Sequence, residues 1–165
     1  MGHLIILRGP AGSGKDTIGK ILVEKLGGDN QACLLDLDIT DERETQFIKK
    51  LQESFNYKHV IGMLFWGGKH TENPNSWIIE FKNRGYTIVS VILNASLQIL
   101  IQRVKERCYN HKSPEEMSQH FEKFNKIRDI FASEAGVREV SIDTEGKNPN
   151  KVAEEIFVVI SSSTT

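Results

Sequence analysis

The sequence predicts an α/β fold: a single domain with a five-stranded parallel sheet, helices on both faces and a short lid. Three observations carry that expectation. Short apolar runs alternate with segments of 3.6-residue periodicity through most of the 165 residues. The runs are almost continuously hydrophobic, as strands buried on both faces are. A glycine-rich turn separates the first run from the first periodic segment, the arrangement of a strand feeding a helix.

The elements follow in order. A strand over His3–Arg8 is built on Leu4-Ile5-Ile6-Leu7. A helix over Lys15–Leu26 sets Ile18, Ile21, Leu22 and Leu26 on one side, and Gly27-Gly28 ends it. The second strand is Ala32–Leu37, and Thr40 caps a helix over Asp41–Phe55. The third strand, His59–Phe65, leads to a helix over Asn75–Asn83 that Gly85 closes. The fourth, Thr87–Leu93, precedes a helix over Ser96–Arg107. Ser113 with Glu115-Glu116 starts a helix over Pro114–Ser133. The fifth strand is Glu139–Ile142, and Pro149 opens a last helix over Asn150–Ile160. The domain spans residues 1–160, with a polar lid at about 108–118 and a loose tail at 161–165.

Composition narrows the function. Lys and Arg number 21 against 22 Asp and Glu, a net charge of −1, which argues against a long nucleic-acid footprint or a membrane surface. No apolar run approaches membrane-spanning length. Cys33 and Cys108 are too few for a disulfide framework, and Cys33 lies in an apolar run, so a reducing, cytoplasmic setting is expected. The oligomeric state is left open.

Chemistry is concentrated at the strand ends, where ligands bind in such sheets. Residues 9–17 read Gly-Pro-Ala-Gly-Ser-Gly-Lys-Asp-Thr. Gly9, Ala11, Gly12, Ser13 and Gly14 form a loop whose backbone N–H groups can face phosphate oxygens, and Lys15 reaches the β- and γ-phosphates. The usual Ser or Thr after that lysine is replaced by Asp16, with Thr17 next. A carboxylate is also a hard oxygen ligand, so Asp16 is expected to hold Mg²⁺ directly or through water, and Thr17 to meet the α-phosphate. The second strand ends in Asp36 and Asp38, which alternation sends to one side. One carboxylate orders Mg²⁺; the other meets an acceptor hydroxyl. Beyond the third strand, Trp66 offers an apolar wall and Gly67-Gly68 permit close approach of a substrate, with Lys69 and His70 following. Arg103 and Arg107 share a helix face, one suited to a base and one to phosphate. Thr144 and Pro149 bound a turn expected beside the base.

These residues resemble the small P-loop kinases of the nucleoside monophosphate kinase and shikimate kinase group over nearly the whole chain. Gly9–Thr17 is similar to the adenylate kinase loop, with Asp16 in place of a glycine. The resemblance implies that Asp36 supports Mg²⁺ and Asp38 binds the acceptor hydroxyl. It further implies that Arg103 stacks on adenine and Arg107 contacts phosphate as the lid closes. The arginines that hold the acceptor in shikimate kinases have no counterpart after Asp38, so the acceptor stays open. The resulting expectation is an ATP- and Mg²⁺-dependent phosphotransferase acting on a hydroxyl or phosphate of a small molecule, with Lys15, Asp38 and Arg107 catalytic. Two alternatives stand beside it: a kinase for a nucleotide or a polynucleotide 5′-hydroxyl, and a nucleotide-dependent binding module with weak NTPase activity.

Overall fold

The structure, a computed structural model, describes residues 2–37, 44–64, 75–107 and 112–162. Five strands, β1 (Gly2–Arg8), β2 (Ala32–Asp36), β3 (His59–Leu64), β4 (Tyr86–Asn94) and β5 (Arg138–Asp143), form one sheet in the order β2-β3-β1-β4-β5. Every pairing is parallel, with Leu7 in register with Met63 on one side and Val91 on the other. The helices are α1 (Lys15–Lys25), α2 (Glu44–Ser54), α3 (Asn75–Asn83), α4 (Leu97–Lys105), α5 (Pro114–Ala135) and α6 (Pro149–Ser162). The expected parallel sheet and all six helices are present. A single 3-10 turn at Gly28–Asn30 was not anticipated. α6 runs through Ser162, two residues into the stretch expected to be loose, and α5 takes in the second half of the expected lid.

Period-two alternation divides the strands between two apolar layers. On one face Ile5, Leu7, Ile61 and Val91 pack with Ile18 and Leu22 of α1 and Val152 and Ile156 of α6. On the other, Leu4, Ile6 and Val60 meet Leu51 of α2, Phe81 of α3 and Phe131 of α5. A third cluster joins Leu100 and Val104 of α4 to Met117 of α5, beneath Ala11 of the glycine loop. Among the described residues, no helix is long and apolar enough to cross a membrane.

The central strand ends in a charge. Arg8 is 0% exposed, and its Nη1 donates at 2.7 Å both to the Arg128 carbonyl of α5 and to Glu139 Oε2 of β5. Ser90 Oγ of β4 donates to the same carboxylate oxygen at 2.8 Å. The guanidinium carbon lies 4.5 Å from the centroid of Phe131, a cation–π contact that offsets part of the desolvation. Glu139→Gln leaves a buried cation without its counter-charge, and should cost roughly 3 kcal/mol in urea unfolding. Adding Arg8→Met to that variant should recover part of the loss.

At the opposite end of the sheet, His3 and His59 are register partners. Their rings stack with centroids 5.1 Å apart and both are buried. Burial, then His3, Lys58 and the amino terminus, push the His59 pKa down to about 4, and burial lowers that of His3. Above pH 6.5 neither state takes a proton on these rings. Between pH 6.5 and about 4 the unfolded chain takes them up first, so stability should fall as pH falls through that window. Urea midpoints measured from pH 7.5 to 4.5 should show the decline, and a His3→Asn, His59→Asn double variant should show a shallower one.

Candidate active site

The glycine loop leaves β1 at the centre of the sheet and enters α1. Gly14 stands at the helix start with φ 96°, in the left-handed region, and as a glycine supplies no side-chain cap to the first turn. The amides of that turn therefore remain the positive end of the helix. Gly12 is required by proximity as well as by its φ of 83°: a Cβ there would sit 2.9 Å from the Leu100 carbonyl oxygen of α4. Ser13 N–H donates to the Pro10 carbonyl at 3.1 Å, and Ile18 N–H to that of Gly14 at 2.9 Å. Ser13 is 1% exposed, and its hydroxyl has no hydrogen-bond partner among the described residues, a buried polar atom in the wall of the loop.

Lys15 Nζ lies 2.5 Å from the Gly9 carbonyl oxygen and 3.2 Å from that of Pro10. The sequence gives this ammonium no duty within the protein itself. In the structure it holds the loop closed, and a ligand phosphate would compete with those two carbonyls.

Two cavities flank the loop and share Gly12, Gly14 and Arg107 in their linings. The larger, about 470 Å³, is lined by Lys15, Asp16 and Asp36, with Met63, Lys112 and His120 on its remaining walls. The smaller, about 310 Å³, is lined by Thr17, Arg103, Thr144 and Pro149. The expected donor residues are thus divided between the two cavities. Both metal candidates are in one cavity; the α-phosphate and base candidates are in the other. Asp38, Trp66, Gly67 and Gly68, with Lys69 and His70, lie outside the described residues, as does the part of the expected lid at 108–111.

Arg103 has a larger role than its helix position suggests. Nη1 donates to Thr144 Oγ1 at 2.9 Å, Nη2 to the Thr144 carbonyl at 2.8 Å, and Nη1 reaches the Gly12 carbonyl at 3.5 Å. Thr144 is 2% exposed, and its hydroxyl and N–H both donate to the Asn94 carbonyl at 2.9 Å. The Thr144 side chain is therefore occupied within the protein, and the turn is fixed to β4 and α4 together. Glu145 completes the tie by accepting from Ser96 N–H at the start of α4, and hydrogen bonding from Ser96 lowers the Glu145 pKa. Arg107 is exposed one turn further on and faces both cavities.

Met63, Lys147 and His120 were not singled out by sequence reasoning. Met63 and His120 are ordinary core-type and helix-surface residues until the sheet order is known. Lys147 lines the smaller cavity and pairs with Glu155 at 2.8 Å. Among the described residues, no group of three His, Cys, Asp or Glu side chains converges as a metal cage. Two carboxylates, Asp16 and Asp36, on one cavity instead suit a hard cation that completes its shell with water and phosphate oxygens.

Comparison with known proteins identifies the family of the chain. Residues 5–122 match a family described as an AAA domain. The shikimate kinase of Persephonella marina is 30% identical over 175 aligned positions, covering 93% of this chain and 96% of that protein. Among solved structures, shikimate kinase from Acinetobacter baumannii in complex with shikimate has a TM-score of 0.60 at 24% identity, covering 99% of this chain and 95% of that one. Deoxyadenosine kinase from M. mycoides with bound dATP has a TM-score of 0.63 at 14% identity, covering 96% of this chain and 99% of that one. The chain belongs to the AAA-domain family and is a P-loop kinase.

Removal of the Arg103 guanidinium should be felt in two measurements. Arg103→Ala breaks two charge-assisted bonds to Thr144, each worth about 1.5–3 kcal/mol, and should lower the melting temperature by several degrees. The same variant should weaken nucleotide binding in calorimetry. A variant that melts like the parent would mean that the clamp to Thr144 contributes nothing.

Proposed function

We propose that this P-loop kinase transfers the γ-phosphate of ATP, with Mg²⁺, to a hydroxyl or phosphate group of a small-molecule acceptor. The observation that carries the reading is the division of the cleft. One phosphate loop serves two cavities: Arg103, Thr144 and Pro149 line one, and Lys15, Asp16 and Asp36 line the other. A nucleotide in the smaller cavity would have its terminal phosphate at the shared loop, directed at the larger. The kinship with a named shikimate kinase supports a small acceptor of this kind.

The roles follow from position. Gly9, Ala11, Gly12, Ser13 and Gly14 supply the backbone of the cradle. Lys15 exchanges its two carbonyl partners for phosphate oxygens, which makes its charge available where the transferred group develops negative charge. Asp16 and Asp36 would hold Mg²⁺, and the ion would supply neutralisation of the phosphate charge there. Thr17 faces the α-phosphate. Arg107, at the junction of the cavities, offsets charge during transfer. Asp38 follows Asp36 by two residues and is assigned to the acceptor: it orients the hydroxyl and accepts its proton. Trp66, Gly67 and Gly68 are assigned to the acceptor wall, and the lid at about 108–118 to exclusion of water. Catalysis of this type is positioning and electrostatics, which demands a rigid loop more than a reactive side chain. A cytoplasmic location goes with the reading: Cys33 is a free, half-buried thiol whose pKa burial pushes up to about 11, so it stays protonated and slow to oxidise.

Thermal-shift measurements with Mg²⁺ and ATP across a metabolite panel would identify the acceptor, as the compound adding stability beyond the nucleotide alone. With that acceptor, Lys15→Met should lower turnover by at least about 100-fold and greatly weaken ATP in calorimetry. It should also lower the melting temperature slightly, because the loop loses its internal tether. Asp38→Asn should lower turnover with ATP affinity retained. Parent-like ATP affinity in Lys15→Met would remove the donor assignment.

A further inference from the structure

The residue before the phosphate loop is a cation in a place that packing alone would fill with hydrocarbon. β1 runs Leu4-Ile5-Ile6-Leu7 and then Arg8. Alternation puts Arg8 on the face of Leu4 and Ile6, and its guanidinium carbon lies over the rings of Phe131 and Phe124. Arg8 is 0% exposed, and its Nε and Nη2 have no hydrogen-bond partner among the described residues. Burial lowers the Arg8 pKa by more than Glu139 raises it, so desolvation outweighs the pairing. A methionine would occupy the same space without that cost. Stability therefore does not account for the charge.

The charge supplies direction instead. Nη1 donates at 2.7 Å to the Arg128 carbonyl, within α5, and at 2.7 Å to Glu139 Oε2 of β5. Hydrogen bonds fix distance and angle, which apolar contacts do not. Nη1 thus holds α5 at one point along its length. The same helix carries Met117, whose cluster with Leu100 and Val104 supports Ala11 in the middle of the loop. Gly9 follows Arg8 directly, and its carbonyl oxygen faces Lys15 Nζ at 2.5 Å. One guanidinium therefore bears on the loop twice: along the chain at Gly9, and through α5 and Met117 at Ala11.

We propose that Arg8 is a positioning residue for phosphate transfer, which presets the loop for the donor phosphates by fixing α5 against β1. The proposal rests on the donor assignment above. Arg8 has no exposed surface with which to meet nucleotide or acceptor; it acts through Gly9 and Met117. Without the charge the apolar layers still hold the fold. The loop is then ordered by the ligand, and the cost of that ordering is subtracted from binding.

Calorimetry and hydrogen exchange separate this role from a structural one. The probe is a non-hydrolysable ATP analogue with Mg²⁺, titrated at a temperature where circular dichroism shows the parent and variants folded. Arg8→Met combined with Glu139→Gln removes both charges and leaves Ser90 an acceptor. The double variant should stay folded and melt above Glu139→Gln alone, yet bind the analogue about ten-fold more weakly than the parent. In its free form the amides of residues 9–17 and 114–121 should exchange faster than in the parent, with those of β3 unchanged, and the analogue should restore their protection. Ser90→Ala disturbs the same buried corner without releasing α5, and should bind the analogue as the parent does. Parent-like affinity in the double variant, an equal loss of affinity in Ser90→Ala, or a double variant that does not fold would each overturn the positioning role while leaving the donor site intact. Failure of the analogue to bind the parent would end the donor assignment and this proposal with it.

Discussion

A guanidinium without exposed surface stands at the end of the central strand, one residue before the phosphate loop, and three elements are organised about it. Arg8 takes a carbonyl from α5 and a carboxylate from β5, and that carboxylate also accepts from β4. Two of its nitrogens, Nε and Nη2, have no hydrogen-bond partner among the described residues, and the rings of Phe131 and Phe124 lie 4.5 and 5.8 Å from its guanidinium carbon. A buried charge of this kind adds little net stability, because desolvation consumes most of the attraction. Its effect is on arrangement: other placements of α5 or β5 would leave the charge unmatched. The loop and the helix that bears His120 are thereby set relative to each other before any ligand arrives.

A second tie acts on the other side of the loop. Arg103 joins α4 to Thr144, Thr144 joins the β5–α6 turn to the end of β4, and Gly12 packs against the backbone of α4 at a distance that admits no Cβ. The loop is therefore enclosed between α4 and the sheet, with the turn fixed beside it. This rigidity links packing to function. A site that works by holding phosphate oxygens needs its donors fixed in advance, and here they are fixed by apolar clusters and two arginine networks.

Much of this was legible in the sequence, because its signals are local. Strand runs such as Leu4–Leu7, the helix period of Ile18 and Leu22, and the spacing Gly9 to Lys15 are all read within a short window. The division of Asp16 and Asp36 from Thr17, Arg103, Thr144 and Pro149 between two cavities was not legible, because it depends on how α4 and the β5–α6 turn pack about the loop. Contacts between distant segments were not legible. Arg8 and Glu139 are 131 positions apart, and Arg103 and Thr144 are 41 apart. No period or motif pairs them until strand order does. Thr144 illustrates the difference: its position in the turn was legible, whereas the contacts of its hydroxyl with Asn94 and Arg103 were not. His120 joins the site only through the packing of α4 on α5, and the sequence shows it as one polar residue among many on a long helix.

In the proposed reaction, phosphate leaves ATP for an acceptor held in the larger cavity. Phosphorus NMR of the protein with Mg²⁺, ATP and the stabilising metabolite tests it most directly. The γ-phosphate signal should be replaced, in step with ADP, by one new phosphoryl resonance belonging to the metabolite. Unchanged ATP, or orthophosphate as the sole product, would contradict it.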